Sequence, residues 1–303
     1  MKILTVYLLF ISSLLSSTYT FEPKKISHGL WCVFADLMPP TKENKGFVSN
    51  VCWVENGDSL TLLDAGPTTL FAKELEIAVA KTTNKKVTNV VITNYHDDRI
   101  LGAGYFQSRG AKIVAHKNIL SDIKSNPQKY TRLEKLLTKE QYTDTKLPKI
   151  DTVFDSQSYL LGSIELYKLS DIAETPSDIV VYMPKQKAIF AGNILFGERG
   201  LNYDKDSNIN GWLEALDKIE SLEIEHFIPG HGTKTDSSSF KVTKEYLTKF
   251  YTQTKEAYEN DIELENLSKT VHMNEFSHLI NYRPRHIQNL YNLYEHLDFR
   301  KVK

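Results

Sequence analysis

The segment VVITNYHDDRILG, residues 90–102, joins a run of β-branched residues to a polar loop. A short apolar run bounded by polar residues is typical of a buried strand. The loop then presents His96 and Asp98 two residues apart, so an imidazole and a carboxylate can converge on one ion at the end of the strand. Taken alone, such a pair is weak evidence and more often indicates a surface histidine, so the rest of the chain decides between the two interpretations.

Three other polar residues also follow predicted strands. Asp64 ends one strand-like segment, Asn193 follows another at residues 188–191, and His231 lies in the sequence IPGHG at residues 228–232. Binding and catalytic residues gather in loops at strand ends when helices and strands alternate. Four such loops in one chain predict a single shared cleft.

Strand-like and helix-like segments alternate along the chain, with hairpins mixed in. Apolar and β-branched runs predict strands at residues 29–34, 46–54, 59–63, 87–93, 112–115, 152–154, 164–169, 178–183, 188–191 and 226–229. Helical periodicity is found at residues 68–81, 103–108, 118–142, 211–221, 240–260 and 284–303. This order predicts an α/β protein with a mixed-sheet sandwich and helices outside it.

Five motifs give the chain its resemblance to the metallo-β-lactamase superfamily, in the order of that family. They are LLDAG at residues 62–66, TNYHDDR at 93–99, AETP at 173–176, FAGN at 190–193 and PGHG at 229–232. The resemblance implies an αββα sandwich of two mixed β-sheets with outer helices over residues 21–234. Residues 235–303 are then expected to be a C-terminal helical extension packed on that domain.

Three residues depart from the family pattern at positions that normally bind metal. Asn94 and Glu174 stand where the family has histidines, and Asn193 stands where it has a bridging aspartate. A standard dinuclear zinc site cannot form from these residues. Asn94 together with Arg99 is similar to the mono-zinc carbapenemase subclass, but that subclass completes its site with a cysteine near the position of Asn193.

The ligands that remain are His96, Asp98 and His231, with Glu174 as a fourth. Two imidazoles and one or two carboxylates suit a mononuclear site, and the oxygen ligands widen the choice of metal. One zinc ion is the expected cofactor, with iron or manganese as alternatives. The resemblance implies that Asp98 is also catalytic, since it would orient or deprotonate a water molecule on the ion.

Five further residues are expected around the ion rather than on it. Arg99 and Tyr95 would bind an anionic group of the substrate or hold the loop, Arg99 by pairing with Asp64 and Tyr95 by packing its ring. Asp64 is expected to brace the site. The others are Asn94 and Asn193, of which Asn193 offers at best a neutral amide oxygen.

Two hypotheses of function follow from this incomplete ligand set. The first is an exported metal-dependent hydrolase that uses metal-bound hydroxide on an ester, thioester, lactam or similar bond. The alternative is a non-catalytic binding protein that keeps the fold and cleft but has lost its metal site. The three substitutions favour the binding protein, whereas the retained His96, Asp98 and His231 favour the hydrolase.

The overall charge indicates which partners to expect. The formal net charge is −1, which gives no electrostatic reason to expect nucleic acid or an anionic membrane as the partner. A small-molecule substrate or ligand is therefore the expected partner. The leader and the helical tail are also similar to periplasmic metallohydrolases associated with quinoprotein and sulfur-oxidation systems, which implies a possible partner in a periplasmic redox system.

The N-terminus has the features of a cleaved signal peptide. Lys2 precedes an apolar run at residues 3–15 and a small or polar stretch, so residues 1–20 are predicted to be removed before Phe21. The run is shorter than the roughly 20 residues that span a bilayer, so no stable membrane insertion is expected. In the periplasm or outside the cell, Cys32 and Cys52 can form a disulfide. The alternative is two buried thiols.

Overall fold

The computed structural model describes residues 19–301 of the 303-residue chain, with side chains as far as residue 298. The predicted signal peptide, residues 1–20, lies outside the described residues except for Tyr19 and Thr20. Within the described range, none of the helices combines the length and the apolar character needed to cross a membrane.

Seven strands form the first sheet, and they follow one another in chain order. The first four are antiparallel neighbours, whereas the last three join in parallel. The strands are β1 (Lys24–Ser27), β2 (Leu30–Val33), β3 (Val51–Asn56), β4 (Ser59–Leu63), β5 (Val87–Val91), β6 (Lys112–His116) and β7 (Thr152–Phe154).

Five strands form the second sheet, which is also mixed. Four of them form an antiparallel meander, and the last strand pairs in parallel with its neighbour β11. They are β8 (Ser158–Leu161), β9 (Ile164–Tyr167), β10 (Val180–Met183), β11 (Ala188–Phe190) and β12 (His226–Ile228).

Helices cover the outer faces of the two sheets. Before β7 lie α1 (Thr69–Ala80), α2 (Asp97–Ile100), α3 (Ala103–Ser108), α4 (Asn118–Ser125), α5 (Pro127–Leu136) and α6 (Lys139–Tyr142). Later in the chain lie α7 (Ile209–Glu220), α8 (Ser238–Glu259), α9 (Leu264–Thr270) and α10 (Tyr282–Lys301).

Apolar side chains fill three layers between these elements. The layer between the sheets contains Val91 of β5 and Phe190 of β11, both fully buried. A second layer lies between the first sheet and the helices α1 and α3. The third lies between the second sheet and the helices α7, α8 and α10. These layers confirm the predicted αββα sandwich, with helices from the C-terminal segment packed on its second sheet.

The predicted helical insertion at residues 118–142 is three helices rather than one. Proline has no backbone N–H and disfavours a helical residue before it. Asn126 accordingly leaves the helical conformation, with φ −125° and ψ 49°, and α5 begins at Pro127. This break matters for the site, because it turns α5 towards the cleft and brings Lys129 to its rim.

The two cysteines are joined by a disulfide, which decides between the two interpretations left open by the sequence. Cys32 in β2 lies directly opposite Cys52 in β3, and both are fully buried in the layer between the sheets. The bond therefore links two adjacent antiparallel strands at the start of the first sheet.

We expect loss of this disulfide to destabilise the fold without changing it. The bond closes a loop with a sequence separation of 20 residues, and the chain-entropy model gives about 3 kcal/mol for a loop of this size. Urea unfolding of the oxidised and the reduced protein measures the difference directly. Cys32→Ala/Cys52→Ala is the matched variant, and its loss should exceed that of the reduced protein because it also removes buried sulfur atoms. Equal urea midpoints for oxidised and reduced protein would contradict this expectation.

Candidate functional site

One cleft of about 220 Å³ opens where loops from both sheets meet. The sequence-predicted residues on its wall are His96, Asp98, Glu174, Asn193 and His231. Behind this wall lie four further predicted residues, each at most 1% exposed: Asp64, Asn94, Tyr95 and Arg99.

Arg99 is the buried centre of the site. It belongs to α2 and is fully buried, and its Nη1 donates to Asp64 Oδ2 at 2.6 Å. Its Nη2 donates to Asn193 Oδ1, which follows β11 of the second sheet. Burial lowers the pKa of Arg99, but the carboxylates of Asp64 and Asp98 raise it above its usual value. The guanidinium therefore stays charged and joins loops from both sheets.

The backbone around Arg99 is shaped to leave room for this contact. Asp64 has a φ of 58°, a left-handed conformation that aspartate tolerates better than most residues. Its side chain also accepts from the backbone N–H of Thr93 at 2.8 Å. A Cβ on Gly230 would lie 2.2 Å from Arg99 Nη2, so only glycine lets the PGHG loop pass the guanidinium.

The side chain of Asn193 joins Arg99 to the residues at the metal-ligand positions. Its Nδ2 lies 3.0 Å from His96 Nδ1 and donates to Glu174 Oε2 at 3.2 Å. Asn94 Nδ2 lies 3.5 Å from the same oxygen of Glu174. Burial raises the pKa of Glu174 well above its usual value. Burial likewise lowers the pKa of His96 well below its usual value, so the imidazole is neutral at pH 7.

A lysine that the sequence did not single out contacts the other nitrogen of His96. Lys129 Nζ lies 3.0 Å from His96 Nε2, 4.7 Å from the centre of the Tyr95 ring and 3.9 Å from Asp204 Oδ2. A neutral imidazole has only one nitrogen that can accept a hydrogen bond. Asn193 Nδ2 and Lys129 Nζ can both only donate, so the ring accepts from one of them. We assign the ring hydrogen to Nε2, because that nitrogen also faces Glu174 Oε1 at 3.7 Å, and the ammonium of Lys129 then has no acceptor at this contact.

His231 is held in place by the backbone of a distant loop. Its Nδ1 lies 2.5 Å from the carbonyl oxygen of Val48, which can only accept, so Nδ1 carries the ring hydrogen. Asn50 fixes the PGHG loop by donating to the carbonyl oxygens of Pro229 and Gly232, at 2.8 and 2.7 Å. Burial lowers the pKa of His231 well below its usual value.

Three arginines that sequence reasoning missed also lie on the cleft, and one of them, Arg132, is paired with Asp97. Arg199 is 5% exposed, and its Nη1 lies 3.3 Å from His231 Nδ1. Both atoms carry hydrogen, so this contact is not a hydrogen bond. Among the described residues, the Nε atoms of Arg199 and Arg285 have no hydrogen-bond partner, and neither has that of Arg99. Burial and the nearby Arg285 lower the pKa of Arg199 to about 10, which leaves it charged at pH 7.

The residues at the metal-ligand positions, as arranged, do not fit a resident ion. Over residues 19–298, no group of three His, Cys, Asp or Glu side chains is close enough to share one. The accepting atoms of His96 and Glu174 face an amide N–H₂, which is a hydrogen-bond donor and not a metal ligand. Two features favour a cation here. Glu174 Oε1 is buried without a hydrogen-bond partner in the described part of the chain, and His231, with its hydrogen on Nδ1, keeps a lone pair on Nε2.

We expect Arg99→Ala to lower the free energy of unfolding by about 3–5 kcal/mol, because removing one partner leaves Asp64 as an unpaired buried charge. Urea unfolding is the measurement. Arg109→Ala is the control, since its ion pair with Glu76 is exposed and should contribute at most about 1 kcal/mol. Equal losses in the two variants would show that Arg99 does not hold the loops together.

Comparison with known proteins gives relatives of the same kind throughout. A family model described as the metallo-beta-lactamase superfamily matches residues 44–231. A metallo-beta-lactamase type 2 of Bacteroides fragilis is 23% identical over 210 residues, which are 68% of this chain and 78% of the relative. One from Bacillus cereus is 28% identical over 195 residues, covering 62% of this chain and 68% of the relative.

Solved structures give the same fold. The metallo-beta-lactamase FIM-1 from Pseudomonas aeruginosa, in a mono-zinc form, has a TM-score of 0.61 at 23% identity and covers 77% of this chain and 97% of its own. A metallo-beta-lactamase from Pontibacter korlensis has a TM-score of 0.60 at 21% identity, covering 76% and 99%. The family model matches more than half of the chain, and the five sequence motifs occur in the expected order. This chain belongs to the metallo-β-lactamase superfamily.

Proposed function

We propose that the protein is an exported member of its superfamily whose cleft binds a small organic anion without a resident metal ion. The proposal develops the hypothesis of a non-catalytic binding protein, and it adds that the ligand is a small organic anion. The observation that carries it is Arg199, a guanidinium at 5% exposure. Among the described residues, its one side-chain contact at hydrogen-bond distance is a nitrogen that already carries hydrogen.

A buried charge without a partner is expensive, and proteins usually pair or neutralise it. Asp98 attracts Arg199 through space, but the two form no hydrogen bond in the described part of the chain. Lys129 faces the N–H of His96, and its ion pair with Asp204 Oδ2 is long, at 3.9 Å. An anion in the cleft would give both cations an acceptor, and carboxylate oxygens match the planar guanidinium well.

The size and charge of the cleft limit the ligand. Its volume of about 220 Å³ lies below the usual range of ligand pockets, which favours a small molecule. Asp98, Glu174 and Asp204 also lie on the wall, and they would repel a multiply charged phosphate more than a singly charged carboxylate. The Cys32–Cys52 disulfide is consistent with binding outside the cytoplasm.

We expect small monocarboxylates to bind the wild-type protein and Arg199→Gln to lose at least about tenfold in affinity, since losing one partner of a buried charge pair typically costs 2 kcal/mol or more. Isothermal titration with acetate, lactate and benzoate measures the affinity, with inorganic phosphate as the comparison anion. Without ligand, Arg199→Gln should be at least as stable as the wild type, because it removes an unpaired buried charge.

Arg109→Gln is the matched control, since Arg109 lies on the surface away from the cleft and should leave anion binding unchanged. Unaltered binding in Arg199→Gln would overturn the proposal. A large loss of stability in Arg199→Gln without ligand would also overturn it, because the guanidinium would then have a partner within the protein.

The mononuclear hydrolase is the second candidate, and two observations favour it. The chain belongs to a superfamily whose compared members include a mono-zinc form. In addition, Glu174 Oε1 is unpartnered among the described residues and lies 3.7 Å from His96 Nε2. Zinc, iron or manganese would then be held by His96, Asp98, His231 and Glu174, and the substrate would contain an ester, thioester, lactam or similar bond.

Metal analysis separates the two candidates. Elemental mass spectrometry is applied to the mature chain, residues 21–303, produced with export, kept from chelators and incubated with zinc, iron and manganese. We expect well below one equivalent, with the same value in His96→Ala/His231→Ala. Near one equivalent in the wild type that disappears in the double variant would replace the binding-protein proposal with the mononuclear hydrolase.

A further inference from the structure

The carboxamide of Asn193 lies between the side chains that would otherwise hold a metal ion. We infer that this carboxamide takes the place of the ion and keeps metal out, an inference that rests on the proposed metal-free function. A ligand in a metal site gives a lone pair to the ion. Here the accepting atoms of His96 and Glu174 instead receive hydrogen from Asn193 Nδ2, at 3.0 and 3.2 Å.

The orientation of the Asn193 amide follows from its other contact. Amide oxygen and nitrogen are hard to tell apart by shape, so their assignment depends on the hydrogen-bond network. Arg99 Nη2 can only donate, so the atom of Asn193 that faces it must be the accepting oxygen. The N–H₂ group therefore points at His96 and Glu174, and it cannot rotate without leaving Arg99 unsatisfied.

Arg99 in turn has little freedom to move. Its Nη1 is bonded to Asp64 at 2.6 Å, and Gly230 passes so close to its Nη2 that a Cβ there would clash. The contacts of Arg99 with Asp64 and with Asn193 therefore hold the Asn193 amide in one position, facing His96 and Glu174. A metal ion entering between them would have to break both hydrogen bonds of Asn193 Nδ2.

A second amide, that of Asn94, approaches the same oxygen of Glu174 as Asn193 does. Asn94 Nδ2 donates to Asp178 Oδ1 at 3.1 Å and lies 3.5 Å from Glu174 Oε2. Glu174, at 1% exposure, thus faces two amide donors where a cation would otherwise balance its carboxylate. The residues that depart from the family pattern form one hydrogen-bonded unit, rather than three independent losses.

Two substitutions of Asn193 test whether the amide blocks the ion. Asn193→Asp is isosteric and keeps an acceptor for Arg99, but it replaces the blocking N–H₂ with a ligand oxygen. Asn193→Ser removes the blocking group and adds no strong metal ligand. Zinc affinity is measured by isothermal titration of the full mature protein, with urea unfolding to verify that each variant is folded.

We expect wild-type protein to bind zinc negligibly. Asn193→Ser should bind it about tenfold more tightly, and Asn193→Asp about 100-fold more tightly, which is the range of effects seen when groups beside a metal site change. The gain should disappear when His96→Ala is added to either variant. If Asn193→Ser shows no gain in zinc affinity, the inference is overturned, even if Asn193→Asp does show a gain. The wild-type site would then lack a metal ligand, and the Asn193 amide would not be what keeps zinc out.

The same titration keeps this inference separate from the proposed function. Near-stoichiometric zinc in the wild type would show that the proposed metal-free function fails, and the inference with it. Negligible zinc in the wild type together with no gain in Asn193→Ser would leave the anion-binding proposal standing and remove only the role of Asn193.

Discussion

The site depends on one constraint, which is that the two terminal nitrogens of the buried Arg99 guanidinium need acceptors within the protein. Asp64 from the first sheet and Asn193 from the second accept from it, so a single side chain fixes the relative position of loops from both sheets. Breaking a buried pair of this kind costs several kcal/mol, whereas surface ion pairs contribute little. The loop positions are therefore fixed by contacts within the protein.

The hydrogen-bond inventory of the cleft follows from that constraint. Because Arg99 orients Asn193, His96 accepts a hydrogen bond from Asn193 at Nδ1. The N–H group of His96 at Nε2 then faces Lys129. His231 gives its Nδ1 hydrogen to the backbone of residue 48 and meets Arg199. Each imidazole thus lies next to a cation but presents an N–H group to it, so it cannot accept a hydrogen bond from that cation. Lys129 and Arg199 therefore each lack an acceptor at the imidazole they contact.

The sequence predicted the parts of this arrangement that are local to a motif. The strand that delivers residues 93–99, the fold and the identity of the changed ligands can all be read along the chain, because each depends on neighbouring residues. Lys129, Arg199 and Arg285 could not be found in this way. They lie in polar segments with ordinary composition, and they reach the cleft only because α5, the loop after β11 and α10 converge there. Pro127 was the one available signal, since it ends α4 and sets the direction of α5.

The C-terminal helices have a role in this cleft that the family match does not cover. The matched region ends at residue 231, and Arg285 lies beyond it in α10. Arg285 donates to Asn202 Oδ1 at 2.7 Å and lowers the pKa of Arg199 through its charge, so the extension increases the positive potential of the cleft. A positive charge added beside an unpaired arginine is unfavourable in the empty protein, and it becomes favourable when an anion is bound between them. Under the proposed function, the extension would therefore raise the difference in stability between the empty and the anion-bound cleft, which is the quantity that determines affinity.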